Sequence, residues 1–395
     1  MFWGRPSGGL KELGGVFAVC TVIFFADASH STAIPTFPFY AKSLGASVAM
    51  VGVLASATGL STMIFSMPLG LLSDRFGRRP VMLLGMLCFA IAPIAYNLST
   101  NPVHLLPARV ILGVAMAATF SIGFVYVSEV APPGRRNMAQ GLYMTFMGIG
   151  FTLGPLVGGL SAKALGYYAS FYLSSGFGFA GLILLLLLRD STQKSAPESS
   201  SRDLSSGFRQ VLTNSKIVAA GTANFFNSLL YNATMVYFPL YGGSIGFDEP
   251  QVGLSLAVRG LVSTASRIPA GGLAKRFNVL RLMALGLLVS AATLFVLPTL
   301  DGLVVVGIIL GIQGAAYGLY LTSGNIFITE EAPEGQRGAS IGVYSTFSNI
   351  SGVVSPILLG VISEAWDFQG AFRASAALAI CGTVLTLGLS AKRRS

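Results

Sequence analysis

The stretch SEVAPPGRRNMAQGLY, Ser128 to Tyr143, returns 201 positions later as TEEAPEGQRGASIGVY, Thr329 to Tyr344. Extended to Leu160 and Val361, the two copies align without a gap and agree at 12 of 33 positions. The same offset lays Pro38 on Pro239, Tyr40 on Tyr241, Gly45 on Gly246, Gly52 on Gly253, Pro68 on Pro269 and Gly70 on Gly271. Self-similarity at one fixed offset is the mark of a duplicated unit. The chain is one design written twice.

The composition says what kind of unit it is. Of 395 residues, 53% are hydrophobic and only 10% are charged, and mean hydropathy is +0.71. A soluble domain carries about 25% charged residues, so most of this chain must face lipid or its own interior. A spanning helix needs about 20 mainly apolar residues. Such runs predict helices over 14–40, 47–72, 80–98, 104–127, 138–162 and 168–188, and again over 216–241, 250–273, 280–299, 302–327, 339–362 and 370–390. The expected fold is an all-α membrane protein of twelve transmembrane helices in two pseudo-symmetric bundles of six. Residues 1–188 form the first bundle and 216–395 the second. Between them lies the polar linker 189–215, whose core reads SAPESSSRDLSSG.

A net charge of +10 invites the thought of a nucleic-acid partner, but the basic residues follow the spans instead. Nineteen of the 25 Lys and Arg, among them Arg75, Arg78, Arg79, Arg135, Arg136, Lys275, Arg276 and Arg281, fall in the termini and in alternate loops. Positive loops stay cytoplasmic. Both termini are therefore expected in the cytoplasm, in the inner membrane of a prokaryote, with the lipid bilayer as partner and no nucleic acid. The N-terminus, MFWGRPSGGLKELGG, has no small-residue cleavage site, so the first helix is expected to direct insertion. Cys20, Cys88 and Cys381 lie inside predicted spans without metal-ligand spacing. Neither metal nor cofactor is expected. A monomer is expected.

Several motifs carry a resemblance. The turn between the second and third helices, GLLSDRFGRRP, contains Gly70, Asp74, Arg75, Gly77, Arg78 and Arg79. It closely resembles the signature loop of the major facilitator superfamily, which implies a gate role for it. Its repeat, GGLAKRFN, puts Lys275 at the position of Asp74 and Asn278 at that of Gly77, so the second copy departs from the pattern. An ordinary positive-inside turn explains the arginines but not Asp74 among them. In the fifth helix, Gly150, Gly154, Pro155, Gly158 and Gly159 look like the antiporter motif of the drug:H+ antiporter branches of that superfamily. The alternative is a generic small-residue packing face. The repeat copy, Ser351 to Gly360, keeps Pro356 but not the full set of glycines. The end of the first helix, with Pro35, Pro38, Tyr40 and Gly45, and the fourth helix, with Arg109 and Gly113, resemble the twelve-helix drug exporters as well.

Ionisable residues deep in a span are costly and mark candidates for function. Those that stand out are Asp27, His30, Arg109 and Arg259. At about 1.5 Å per residue, Asp27 and Arg109 come to similar depth, so proton coupling is assigned to Asp27, with Arg109 tuning it and His30 assisting or contacting substrate. The alternative is a structural ion pair with a packing histidine. The offset sets Ser228, Tyr231 and Leu310 against Asp27, His30 and Arg109, so the charged set belongs to the first half. Substrate-cavity candidates in the second half are Asn224, Asn227, Tyr231, Arg259, Gln313, Tyr317 and Tyr320. Their surface is neutral and aromatic, suited to lipophilic or amphiphilic compounds, with Arg259 able to hold an anion. Glu129 with Arg136 and Glu330 with Arg337 are expected as gate ion pairs.

The chain is thus expected to be no enzyme but a secondary transporter, exporting small molecules against protons by alternating access. A proton-coupled importer or facilitator of a sugar or organic acid shares the fold, and a non-transporting receptor is the distant alternative. No Walker-type phosphate loop is present to support ATP-driven transport.

Overall fold

The computed structural model describes residues 13–188, 214–332 and 336–391. The segment expected as a linker lies outside the described residues apart from its last two. The helices follow the predicted order. They are α1 (Gly14–Ser43), α2 (Val48–Phe76), α3 (Arg78–Asn97), α4 (Pro102–Val130), α5 (Arg136–Leu165) and α6 (Tyr167–Leu187). In the second half, α7 comprises Ser215–Asn232 and Phe238–Ser244, α8 is Glu249–Ala274, α9 is Val279–Thr299 and α10 is Leu303–Glu331. The helical run Arg337–Ala391 is broken at Asp367, which separates α11 (337–366) from α12 (368–391). Among the described residues, nine helical stretches are long and apolar enough to cross a membrane, the broken run counting as one. The more polar α7 and α8 are long enough, at 30 and 26 residues.

The duplication is visible in the irregularities. Helix α1 breaks after Thr32 and resumes at Phe37–Ser43 with Pro38 in its first turn. Helix α7 breaks through a π turn at Ala233–Tyr237 and resumes at Phe238–Ser244 with Pro239 in its first turn. Proline lacks an N–H to continue a helix, so the break falls just before it and the ring starts the next segment. Gly45 and Gly246 then reverse the chain with φ of +91° and +88°. The turn from α5 to α6 uses Gly166 at φ +87°, and its counterpart from α11 to α12 places Asp367 at φ +75°.

Two large clusters of buried apolar side chains form, one from residues 13–185 and one from residues 217–379. Lipid is as apolar as leucine, so association within the membrane rests on close packing and hydrogen bonds rather than on expelling water. The seam between α1 and α5 shows this. A Cβ on Gly150 would meet the Phe24 carbonyl, one on Gly154 the Ser31 hydroxyl, and one on Gly158 the Thr32 carbonyl. The backbones come so close that Ser31 Oγ donates to the Gly150 carbonyl at 3.1 Å. On the other side of α1, Ser174 Oγ of α6 donates to the Ser29 carbonyl at 2.6 Å.

The two halves meet through a reciprocal pair of contacts. The space beside Gly52 of α2 is filled by the Pro356 carbonyl of α11, and the space beside Gly253 of α8 by the Pro155 carbonyl of α5. The 201 offset exchanges these contacts. Proline at 155 and 356 cannot bond the carbonyl four residues earlier, which loosens the helix there. Around them Tyr237 Oη donates to the Pro356 carbonyl and Ser56 Oγ to the Val353 carbonyl at 2.6 Å. At the end of the molecule that carries Gly45 and Gly246, Lys163 pairs with Asp248 at 2.6 Å. Beside it, Tyr167 Oη donates to Glu249 at 3.0 Å, and Glu364 accepts from the Ala49 amide at 3.2 Å.

Candidate functional site

A cavity of about 250 Å³ opens between the halves, walled by α1, α2, α4, α7 and α11. His30 and Phe37 of α1, Arg109 and Met116 of α4, and Tyr231 and Met235 of α7 line it, with Thr58 and Thr62 of α2 and Asn349 of α11 supplying neutral polar groups. The broken segments of α1 and α7 make this possible. They carry His30 and Tyr231, which are symmetry counterparts, on the turns just ahead of each break.

Arg109 dominates the electrostatics. Its guanidinium stacks on the Phe37 ring at 3.3 Å from the centroid and stands 5.6 Å from that of Tyr96. It donates no hydrogen bond to any described residue, and its Nε is sealed from solvent without a partner. His30 and Tyr96 are the titratable groups within its field, and His30 Nδ1 is likewise buried without a partner.

The expected closeness of Asp27 and Arg109 is not what the helices deliver. Asp27 is 6% exposed and sits in the α1–α5 seam, where a Cβ on Gly150 would lie 3.2 Å from its own Cβ. Its Oδ2 has no hydrogen-bond partner, and the cation whose field it feels is Arg267 of α8. The reason is rotational. Depth along a helix axis says nothing of azimuth, and Asp27 lies three residues from His30, on the α5 side of α1. Arg267 escaped the sequence reading because it lies only seven residues from the end of α8. Its position two turns from Arg259 was the available signal. Its Nη1 donates to the Met144 carbonyl of α5 at 3.5 Å.

Arg259 is 1% exposed. Its Nε donates to Gln313 Oε1 at 2.9 Å, and its guanidinium lies 5.4 Å from the Tyr231 centroid and 5.0 Å from that of Tyr317. Gln313 Nε2 in turn donates to Thr234 Oγ1 at 2.9 Å. Tyr231 and Tyr317 stack at 5.3 Å, so this group stands behind Tyr231 rather than on the cavity wall. Of the seven second-half candidates, Tyr231 alone is in the cavity lining. Asn224 is spent on the Tyr344 carbonyl at 3.0 Å, Asn227 is buried, and Tyr320 packs against Gly286 of α9. Helix periodicity puts polar residues on several faces of α7 and α10, and only one face can point inward.

The turn between α2 and α3 is organised by Arg78. Its Nη1 reaches Asp74 Oδ1 at 2.5 Å and Ser73 Oγ at 2.7 Å, and its Nη2 reaches Glu129 Oε1 at 3.0 Å. Glu129 therefore pairs with Arg78 rather than with Arg136, whose side chain is exposed, because the end of α4 faces this turn. Arg79 Nη2 donates to the Leu186 carbonyl at 2.9 Å, at the C-terminus of α6. Gly77 holds φ +97°. In the second copy Asn278 instead caps α9 by accepting from the Arg281 amide at 3.2 Å. Glu331, next to the exposed Glu330, pairs with Lys216 at 2.7 Å. The side chain of Arg337 lies outside the described residues.

Comparison with known proteins places this geometry in a family. The model described as Major Facilitator Superfamily matches residues 19–248 and again 220–395. An uncharacterised MFS-type transporter of Methanocaldococcus jannaschii, MJ1560, is 21% identical over 92% of this chain and 95% of its own. The quinolone resistance protein NorA of Staphylococcus aureus is 23% identical over 94% of this chain and 95% of its own. The crystal structure of the nucleoside transporter NupG superposes with a TM-score of 0.81 over 95% of this chain and 99% of that one, at 14% identity.

Proposed function

The chain belongs to the major facilitator superfamily, and from that membership we propose that it is a proton-coupled exporter of small amphiphilic compounds working by alternating access. It is an integral membrane transporter rather than an enzyme. The observation that carries the reading is the cavity between two symmetric halves, with an unpaired carboxylate, Asp27, beside it in the seam that Gly150, Gly154 and Gly158 keep tight. A rocking motion of the halves changes which groups surround Asp27. The field of Arg267, which belongs to the other half, then varies with conformation. A carboxyl whose charged neighbour comes and goes can take a proton in one state and release it in the other.

The likeness to a quinolone resistance protein over nearly the full chain supports export of aromatic amphiphiles. The charge pattern of the loops supports an arrangement with the α2–α3 turn and both termini in the cytoplasm. With that orientation, Lys163–Asp248 and Glu364 close the outer face in this conformation. Residues 1–188 and 216–395 would then be the two rocking bodies, with 189–215 joining them. A single chain contains the whole cavity, which supports a monomer as the working unit.

The test is proton movement in proteoliposomes holding a pH-sensitive dye, with amphiphilic fluorophores of each charge type added outside. Antiport moves protons opposite to the fluorophore, and Asp27→Asn abolishes that counterflow while leaving fluorophore binding. Co-directional movement, or coupled transport that persists unchanged in Asp27→Asn, overturns the reading.

A further inference from the structure

The interior of the protein holds more positive charge than the proposed mechanism uses. Among the described residues, three guanidinium groups lie well inside the helices, Arg109, Arg259 and Arg267, against one carboxylate, Asp27. None of the three forms an ion pair with a described residue. Arginine does not shed its proton in a protein, so this excess is permanent. A buried charge without a counter-charge is expensive and needs hydrogen bonds or a partner.

The three are not equally served. Arg259 has Gln313 and two tyrosine faces, and Arg267 has the Met144 carbonyl and the field of Asp27. Arg109 has only aromatic faces and no acceptor, with Nε buried and unpartnered. It is also the one of the three that lines the cavity. Guanidinium donors form a planar fork that matches a carboxylate or sulfonate, and the surrounding wall of Phe37, Met116, Tyr231 and Met235 is apolar and aromatic.

We propose that the cavity is built for an amphiphilic organic anion, whose acidic group is held by Arg109 and His30 and whose aromatic body packs against Phe37 and Tyr231. This rests on the transport reading above and narrows its substrate class. An Asp27 exposed to a lipophilic cation would point the other way, but Asp27 is not in the cavity lining, and Arg109 stands where the cation would sit. Like charge in a low-dielectric site rejects as strongly as opposite charge attracts.

Three probes with one aromatic body separate the cases: 2-naphthylacetate, 2-naphthylacetamide and 2-naphthylmethyl-trimethylammonium, titrated into the purified full chain in nanodiscs. The carboxylate is expected to bind about tenfold tighter than the amide, as a charge-assisted bidentate contact implies, and the cation weakest. Arg109→Gln should bring the carboxylate down to the amide and leave the amide unmoved, while Arg109→Lys keeps part of the preference. The wild-type ranking stands as a test even if a variant loses its fold. Equal binding of carboxylate and amide, or tighter binding of the cation, overturns the anion site. The efflux reading fails separately, if a pH gradient drives none of the three probes into everted vesicles although the carboxylate binds.

Discussion

Lys163 and Asp248 join α5 to the start of α8 at 2.6 Å, and the 201 offset carries them onto Glu364 and Ser47, which also touch, at 3.4 Å. The same contact is thus built twice with the charged partner inverted. Asp248 additionally caps α8 by accepting from the Gln251 amide at 3.0 Å. An exposed ion pair is screened by water and biases a two-state equilibrium only modestly.

Lys163→Met should therefore speed labelling of a Thr58→Cys cavity reporter from that face by no more than about fivefold. Labelling should return to the parent rate in Lys163→Asp combined with Asp248→Lys. The rate is measured with a membrane-impermeant maleimide in oriented proteoliposomes.

The same pair predicts a flat pH response. The Lys163 hydrogen bond, chiefly, holds the Asp248 carboxyl below the usual carboxylate range. A lowered value means that the pair's contribution is complete above the ordinary aspartate value of about 4. It is lost only as pH falls through the lowered value. Between pH 6 and 8 the ratio of labelling rates for parent and Lys163→Met should stay constant, and a ratio that changes across that window counts against this assignment. Under the proposed proton coupling, any pH dependence of transport would arise from another group.

The turn at Asp367 offers a stability test. Gly166 and Asp367 are repeat counterparts, and both sit at positive φ. Asp367 combines φ +75° with ψ 176°, a region that costs a non-glycine residue about 1–3 kcal/mol. Its Oδ1 offsets part of that by accepting from the Gly370 amide at 2.8 Å. Asp367→Ala keeps the strain and loses the bond, so its unfolding temperature in detergent should fall. Asp367→Gly relieves the strain and should match or exceed the parent.

The α1–α5 seam gives a steeper one. A Cβ at Gly158 would meet the Thr32 carbonyl, which belongs to backbone and cannot swing aside. Gly158→Val should force the helices apart and cost about 1–3 kcal/mol. Gly141, beside which nothing lies within 4 Å, should accept Val without comparable loss. Thermal unfolding of the two variants in the same detergent decides between a packing seam and a tolerant surface.

Much of this architecture could be read from the residues because a duplication reveals itself twice. The glycines at 150, 154 and 158 announce a close helix contact without naming α1 as its partner. Pro38 and Pro239, by contrast, fall inside spans that read as unbroken, 14–40 and 216–241, and the breaks there appear only in the folded chain. The cavity was less legible. His30, Arg109 and Tyr231 were found because they are unusual in a span, whereas Phe37, Met116 and Met235 look like any packing residue. Which charges face each other depends on the rotation of one helix against another. That is why Arg267 rather than Arg109 stands toward Asp27, and why Arg78 rather than Arg136 holds Glu129.

Arg78 supplies the last prediction. It lies between Asp74 and Glu129 and bonds both, together with Ser73 Oγ. Removing it leaves two carboxylates facing each other with no cation between them, so the loss exceeds that of one surface pair. Arg78→Ala should therefore reduce transport and thermal stability more than Asp74→Ala does. In the double variant Arg78→Ala with Glu129→Gln, part of the stability should return, because the repulsion is gone. Arg78→Lys keeps the charge but not the fork that spans both acids, and should fall between parent and Arg78→Ala. If Arg78→Ala proves no worse than Asp74→Ala, the arginine is only a topological charge, and any gate role for this turn would have to rest on Asp74 alone.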